Sequence, residues 1–92
     1  GVLTCLDAAT GQLVWQERIG GNYSASPLAC GKRLYFTSEG GLTTVIEAGR
    51  AFRELARNEL FGQTRASLAV CGDSLLIRTN PVLYCVRPQA KP

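Results

Sequence analysis

An internal repeat constrains the fold of this chain more than any other feature of its sequence. Residues 25–34, ASPLACGKRL, return as residues 66–75, ASLAVCGDSL. Residues 2–8, VLTCLDA, return as residues 42–48, LTTVIEA, and a shorter version of the same pattern stands at 83–86, LYCV. All three matches agree on a period of about 40 residues, which is typical of architectures that repeat one small unit of supersecondary structure.

Turn-forming residues recur about every ten residues and divide the chain into short apolar segments. The ten glycines and four prolines are scattered at these intervals, so they end elements and do not form a linker. This spacing predicts hairpins joined in sequence and a fold made only of strands. The predicted strands are 1–6, 13–19, 24–29, 34–37, 42–47, 52–60, 66–70, 75–78 and 82–86.

One segment, residues 50–60, is ambiguous on local grounds. It contains good helix formers, and several of its apolar residues, among them Phe52 and Leu55, fit a helical period. The repeat places this segment in the position of residues 13–19, the last strand of the preceding unit, and therefore predicts a strand. Its charges also suit an outer strand, because charges on a free edge oppose edge-to-edge association.

A repeat of about 40–45 residues with four strands per unit is the signature of a β-propeller, in which each unit is one blade. Residues 1–19 would then be the end of one blade, residues 24–60 a full blade, and residues 65–87 the start of the next blade. Residues 88–92 read as a loose tail. We therefore expect an all-β fold of antiparallel four-stranded blades, a partial propeller of about two blades that begins and ends in mid-blade.

Composition and charge exclude several functional classes. The net charge is only +3 and the basic residues are spread along the chain, which argues against nucleic-acid binding. No apolar run approaches the ~20 residues needed to span a bilayer, and the first residues do not resemble a signal peptide. The chain has no histidine and no Cys-x-x-Cys pair, so neither a zinc site nor a nucleophile activated by histidine is predicted.

The four cysteines stand at matching positions of the repeat. Cys30 and Cys71 share one position, and Cys5 and Cys85 share another. Equivalent positions in successive blades lie beyond the ~7 Å between Cα atoms that a disulfide allows. We therefore expect free cysteines that serve as small, buried apolar side chains.

The stretch 5–15, CLDAATGQLVW, carries a family resemblance. It resembles the eleven-residue tryptophan-docking motif of the pyrroloquinoline-quinone-type (quinoprotein-like) β-propeller repeat. That motif has Ala at its first position, Asp at its third, Thr-Gly at its sixth and seventh, and Trp at its eleventh. Asp7, Thr10, Gly11 and Trp15 match it, and Cys5 replaces the alanine.

The chemistry of these residues suits a structural role. Asp7, Thr10 and Gly11 are turn formers that would shape a hairpin, with Gly11 able to take a positive φ. Trp15 would then lie on an outer strand, where its ring could pack between adjacent blades.

The second unit departs from the motif. Glu47 replaces the aspartate, and the Thr-Gly pair and the tryptophan are missing. Phe52 and Leu55 are expected to fill the corresponding space between blades less completely.

The resemblance implies a non-catalytic segment that serves as a structural scaffold or protein-interaction surface. Its partners would be other propeller blades, copies of itself or another protein, with no nucleic acid and no membrane span. Membership of this family would favour a bacterial source and a periplasmic or secreted location. Because the chain is expected to have open ends, we also expect self-association, with the last strands of one blade in one copy completing the first strands of a blade in another.

The alternative is a fragment of a pyrroloquinoline-quinone-dependent dehydrogenase whose catalytic residues lie outside this segment. Enzymes of that kind hold the quinone with calcium in the central channel of the propeller. The seven acidic residues of the chain show no calcium-ligand spacing, so we predict no catalytic, cofactor-binding or metal-binding residue here. A sensor domain fused to a kinase or protease is a third interpretation.

Two further groups of side chains are candidates for site residues. Arg65 and Arg78 flank predicted inner strands and could face a central channel, although solvated or ion-paired arginines are the simpler expectation. Tyr23, Tyr35 and Tyr84 are expected to pack between blades rather than to form a ligand cage.

Overall fold

The apolar segments between the turns form nine β-strands. The computed structural model of the chain describes residues 1–87, apart from the side chain of Cys71, and the predicted loose tail at 88–92 lies outside the described residues. Residues 1–87 contain no helix, and all pairing between strands is antiparallel, which confirms the expected all-β fold. The strands are β1 (Val2–Leu6), β2 (Leu13–Arg18), β3 (Leu28–Cys30), β4 (Arg33–Thr37), β5 (Leu42–Glu47), β6 (Glu54–Glu59), β7 (Ala69–Cys71), β8 (Ser74–Arg78) and β9 (Leu83–Val86).

The strands form three separate sheets, and each sheet is a meander in which neighbours in sequence pair. The first sheet contains β1 and β2, the second has the order β3-β4-β5-β6, and the third has the order β7-β8-β9. The molecule measures 42 × 32 × 18 Å and has a radius of gyration of 14.0 Å. A compact domain of 100 residues has a radius of gyration of about 13 Å, so this chain is slightly more extended than a compact globule of its length.

The segment 50–60 that was ambiguous on local grounds contains a strand, as the repeat predicted. Within it, β6 pairs with β5 from Leu42 opposite Glu59 to Ile46 opposite Glu54. Tertiary pairing therefore overrides the weak helical preference of this sequence.

Strands β3 and β7 are shorter than predicted, because their expected first residues do not join the ladder. Pro27 has no N–H to donate, and the N–H of Ser26 donates to the Oγ of Ser67 at 3.0 Å. At the start of the third sheet the N–H of Ala66 donates to the Oγ1 of Thr64 at 3.3 Å. Side-chain hydroxyls thus satisfy backbone groups that a ladder would otherwise use.

The first and second sheets share a β-bulge at the same place. The register shifts after Cys5 in β1 and after Val45 in β5. The residue opposite Cys5 is Trp15, and the residue opposite Val45 is Ala56. Ala56 therefore holds, in the second sheet, the position that Trp15 holds in the first.

The core is centred on β5, where the four residues 43–46 are all buried and Ile46 is 0% exposed. A strand with consecutive buried residues needs cover on both of its faces. Polar members of this core are partly satisfied within the sheet, since the hydroxyls of Thr37 and Thr43 lie 2.9 Å apart. No helix in the described part of the chain has the length and apolar character needed to cross a membrane.

The expectation that the cysteines are buried is wrong for two of them. Cys5 is half-buried, but Cys30 and Cys85 are exposed, and all three are free thiols. Cys30 ends a short edge strand beside the turn that precedes β4, and Cys85 lies on β9, which is hydrogen-bonded only to β8 within the described chain. Edge positions leave these thiols open to solvent, a property that periodicity alone does not reveal.

Candidate functional site

The turn between β1 and β2 is built by the residues that the sequence marked as turn formers. The Oδ1 atom of Asp7 accepts hydrogen bonds from the N–H groups of Ala9 at 2.9 Å and Thr10 at 3.1 Å. The N–H of Gly11 donates to the carbonyl of Asp7 at 2.7 Å, and Gly11 has a φ of 76°. The Oγ1 of Thr10 accepts the N–H of Gln12 at 3.3 Å. Asp7 thus forms an Asx turn, and Gly11 supplies the left-handed residue that closes it.

Trp15 joins this hairpin to the second sheet. Its Nε1–H donates to the carbonyl oxygen of Gly49, in the β5–β6 turn, at 3.0 Å. The indole meets the ring of Phe52 edge-on, with centroids 5.3 Å apart and an angle of 69° between the planes. The Cys5 thiol also lies 4.0 Å from the Gly49 oxygen. The half-buried indole therefore combines a polar bond with an aromatic contact, which suits an amphipathic side chain at an interface.

An ion pair supports the same contact. The Oδ2 atom of Asp7 lies 3.2 Å from Nη1 of Arg50, whose side chain is 75% exposed. Solvent screens a pair that is this exposed, so it contributes little to stability. The hairpin thus meets residues 49–52, which connect β5 and β6, through a backbone acceptor, an aromatic ring and a cation. We refer to this set of interactions as the Trp15 contact.

The environment of Asp7 lowers the pKa of its carboxyl below the ordinary value of 3.8. The N–H of Thr10 is the largest cause, followed by the N–H of Ala9 and the guanidinium of Arg50. All three favour the charged form, because each donates a hydrogen bond to the carboxylate.

The structure divides the five residues of the motif between two tasks. Thr10 and Gly11 act within the turn, whereas Trp15 and Cys5 face Gly49. Asp7 takes part in both the turn and the contact, because its Oδ1 accepts backbone hydrogen bonds of the turn and its Oδ2 pairs with Arg50. The sequence did not reveal the receiving residues on the second sheet. The only signal for them was the Ala-Gly turn at 48–49, which marks a place where a backbone carbonyl is accessible.

The expected position of Phe52 is wrong. It was expected to fill the space beyond the second sheet together with Leu55, but its ring lies against Trp15 on the side of the first sheet. Leu55 does lie beside that space and is 42% exposed. Phe52 precedes β6 and belongs to the β5–β6 connection, so it follows the turn rather than the strand.

A groove lies between the second and third sheets, and it has a volume of about 620 Å³. Tyr35, Val45 and Ala56 line it from the second sheet, and Leu75 and Val86 line it from the third. It contains the position equivalent to Trp15, which is occupied here by the small side chain of Ala56. This space between two sheets therefore has no large side chain of its own at the position where the first sheet has an indole.

The two arginines considered as channel residues, Arg65 and Arg78, are exposed and line a shared pocket of about 280 Å³. Thr64, Thr79 and Asn80 complete most of its lining. Neither arginine takes part in the three ion pairs found among residues 1–87, so both are solvated.

The tyrosines are placed differently from one another. The hydroxyl of Tyr84 donates to the carbonyl of Phe61 at 3.0 Å. Burial raises the pKa of Tyr23, and the nearby Thr44 hydroxyl and Arg57 charge oppose that rise. The Tyr23 and Thr44 hydroxyls are both buried, and neither completes a hydrogen bond of ordinary length and angle.

Among the described residues no three histidine, cysteine or acidic side chains lie close enough together to hold a metal ion. No protein-family model matches the chain, and no curated protein is significantly similar to it in sequence.

Replacing Trp15 should weaken the joint between the first two sheets. We expect Trp15→Phe to lower the free energy of unfolding by about 1–2 kcal/mol, because the Gly49 carbonyl loses its donor. Trp15→Ala should cost more, up to about 3 kcal/mol, since it also removes the ring that meets Phe52. Urea unfolding followed by far-ultraviolet circular dichroism measures both.

Leu13→Ala is the matched control, because Leu13 lies on the same strand and is exposed. It should change stability by no more than about 0.5 kcal/mol. If Trp15→Phe behaved like Leu13→Ala, the indole N–H bond would contribute nothing to the fold.

Asp7 should make stability depend on pH in the acid range. A carboxyl whose pKa is lowered on folding stabilises the fold above its unfolded pKa, and this stabilisation disappears as the pH falls through the folded pKa. The stability difference between the natural chain and Asp7→Asn should therefore be largest near neutral pH and shrink below about pH 4. Urea unfolding at a series of pH values measures it.

Arg50→Gln separates the effect of the ion pair on the pKa of Asp7 from the effect of the backbone donors, because it removes the ion pair and leaves the turn intact. Its effect should be smaller than that of Asp7→Asn, since the backbone donors dominate the lowered pKa. Equal effects of the two variants would contradict this order of causes.

Proposed function

We propose that this chain is a segment of a quinoprotein-like β-propeller repeat and that its role is structural. It would hold neighbouring blades together and offer a scaffold or a binding surface to other proteins. The observation that carries the proposal is the bond from Trp15 Nε1 to the Gly49 carbonyl. A motif that resembles a tryptophan-docking sequence thereby joins the first sheet to the second.

A recurring backbone contact supports the repeat. The N–H of Glu39 donates to the carbonyl of Asn22 at 2.7 Å, and the N–H of Asn80 donates to the carbonyl of Gln63 at 2.7 Å. Each bond ties the turn after the second strand of a unit to the segment that precedes that unit. The two bonds lie about 40 residues apart, which is the period found in the sequence.

Contacts near the proposed inner edge and near the proposed outer edge of the sheets support a radial arrangement of blades. In the proposed propeller β3 and β7 would lie nearest the axis, and the N–H of Ser26, just before β3, donates to the Oγ of Ser67, just before β7. The Trp15 contact would lie at the outer end, between the first and second blades. One pair of adjacent blades would thus touch near the axis and the other pair at the rim.

The dehydrogenase interpretation would require pyrroloquinoline quinone and calcium, held by residues outside this segment. The test uses the chain together with whatever sequence flanks it in its gene. Under our proposal the purified protein shows no quinone absorbance, and calcium with added pyrroloquinoline quinone does not stimulate reduction of a dye in the presence of alcohols or sugars. Quinone-dependent dye reduction that requires calcium would overturn the scaffold role and favour the dehydrogenase.

Copies of the chain are one partner that the proposal allows. Within the described residues β1 and β9 are edge strands, as are β2, β3, β6 and β7, whereas β8 is paired on both sides. We therefore place the meeting of two copies at the edges of β1 and β9, and not on β8. Leu6 on β1 and Leu83 on β9 are exposed apolar side chains at these edges.

We expect the 92-residue chain to self-associate at micromolar concentration, and analytical ultracentrifugation measures this. Leu83→Lys and Leu6→Lys should each shift the distribution towards monomer, because charged edge residues oppose strand pairing. Phe61→Lys is the control, since Phe61 is an exposed apolar residue outside the strands and its replacement should leave association unchanged. A monomer at high concentration, or loss of association only with Phe61→Lys, would contradict pairing through these edges.

A further inference from the structure

The two spaces between sheets are built on the same plan but filled differently. The shared bulge makes Ala56 the structural equivalent of Trp15. Where the first sheet sends an indole to the second, the second sheet presents a methyl group towards the third. The groove of about 620 Å³ lies at this place, and its volume falls within the range of about 300–1,000 Å³ that is typical of ligand sites.

The walls of this groove are mainly apolar. Val45 is buried, whereas Leu55, Val70 and Val86 around it are 42%, 46% and 42% exposed. In the alignment of the repeat units Cys85 matches Val45, so Val86 matches Ile46. Ile46 is fully buried in β5. An apolar residue that is buried in one unit is thus exposed at the groove in the next. Exposed apolar surface of this kind favours an apolar occupant.

Charges near the groove add a preference. Arg33 and Arg87 line it together with Asp73, so cations outnumber anions among its lining residues. Neither arginine takes part in an ion pair found within residues 1–87. A guanidinium group can stack on an aromatic face and pair with a carboxylate, so these side chains suit an aromatic residue with acidic neighbours.

We propose that the groove between the second and third sheets accepts an aromatic side chain, above all the indole of tryptophan, from an acidic segment of a partner polypeptide. This inference rests on the interaction surface in the proposed function and names the chemistry that the surface recognises. The partner's indole would contribute what Trp15 contributes at the first junction, a ring that packs between two sheets. Asn58 and Asp73, which also line the groove, can accept the indole N–H.

The test is a titration of the full chain, labelled with nitrogen-15, with a capped five-residue peptide that has tryptophan at its centre and acidic residues on each side. The dissociation constant follows from the chemical shifts of amides around the groove. We expect the same peptide with leucine at its centre to bind at least about tenfold more weakly, because buried aromatic anchors dominate such contacts. Peptides with neutral flanks should bind several-fold more weakly, and Arg33→Glu with Arg87→Glu should have a comparable effect.

Ala56→Trp is the decisive variant, because it would place an indole in the groove from within the chain. It should weaken binding of the peptide by about tenfold or more. Ala9→Trp is the matched control, since Ala9 is exposed in the β1–β2 turn and an added indole there leaves the groove free. Equal affinities for the tryptophan and leucine peptides, or unchanged binding to Ala56→Trp, would overturn the proposal.

A rim variant guards against misfolding of Ala56→Trp. Val86→Asp replaces an exposed apolar residue of the groove and should also weaken binding, by several-fold. Deletion of residues 88–92 tests whether the end of the chain itself is the occupant, and a large gain in affinity on deletion would overturn the assignment to a partner. In a Leu83→Lys background, which weakens the association expected at the edge of β9, affinity that still falls as the protein concentration rises would assign the groove to a second copy and would also overturn the proposal.

The NMR signal of the Trp15 indole N–H distinguishes failure of the groove proposal from failure of the proposed structural role. This signal is assigned without ambiguity because Trp15 is the only tryptophan of the chain. If that signal reports an intact Trp15 contact and the peptide does not bind, the groove proposal fails and the structural role stands. If Trp15 is not docked in the folded chain, the proposed structural role itself fails first.

Discussion

The hydrogen bond from the Trp15 indole to the Gly49 carbonyl addresses the main structural problem of this chain. Within the described residues no strand of one sheet is hydrogen-bonded to a strand of another, so backbone ladders stabilise each sheet but not their assembly. Contacts between side chains and turns must do the rest. An indole suits this task because it buries a large ring and also satisfies a backbone carbonyl that would otherwise lose its water.

The fold followed from the sequence where turn residues marked the hairpins and where the repeat decided an ambiguous segment. Turn residues such as Asp7 and Gly11 defined the first hairpin, and the repeat placed a strand in the segment 50–60 although its composition also suited a helix. The sequence could not limit β3 to three residues, because this depends on the hydroxyl of Ser67, which lies just before β7 of another sheet. The repeat assigns each residue to a position within its unit. Hydrogen bonds between units depend on how the units pack together, which the repeat does not encode.

In the candidate site, too, the sequence predicts the residues within one unit but not the residues that they contact in the next unit. The five motif residues could be read from the sequence because their spacing encodes an Asx turn and a following strand. The receiving residues could not, since Phe52 was expected beyond the second sheet and instead lies against Trp15. Exposure of Cys30 and Cys85 was missed for a related reason, because a residue at an edge and a residue in a sheet interior share the same period. Burial depends on neighbours that are distant in sequence.

The replacement of Trp15 by Ala56 at the equivalent position has a mechanical consequence. A junction that is filled by a ring and fixed by a directional bond is stiff, while one that is lined by short side chains around a groove is compliant. We therefore expect the angle between the second and third sheets to change more easily beside Ala56 than at the start of β3 and β7, where the N–H of Ser26 is bonded to the Oγ of Ser67. The residue difference that leaves the groove open thus also leaves this junction without a large ring to resist a change in the angle between the sheets.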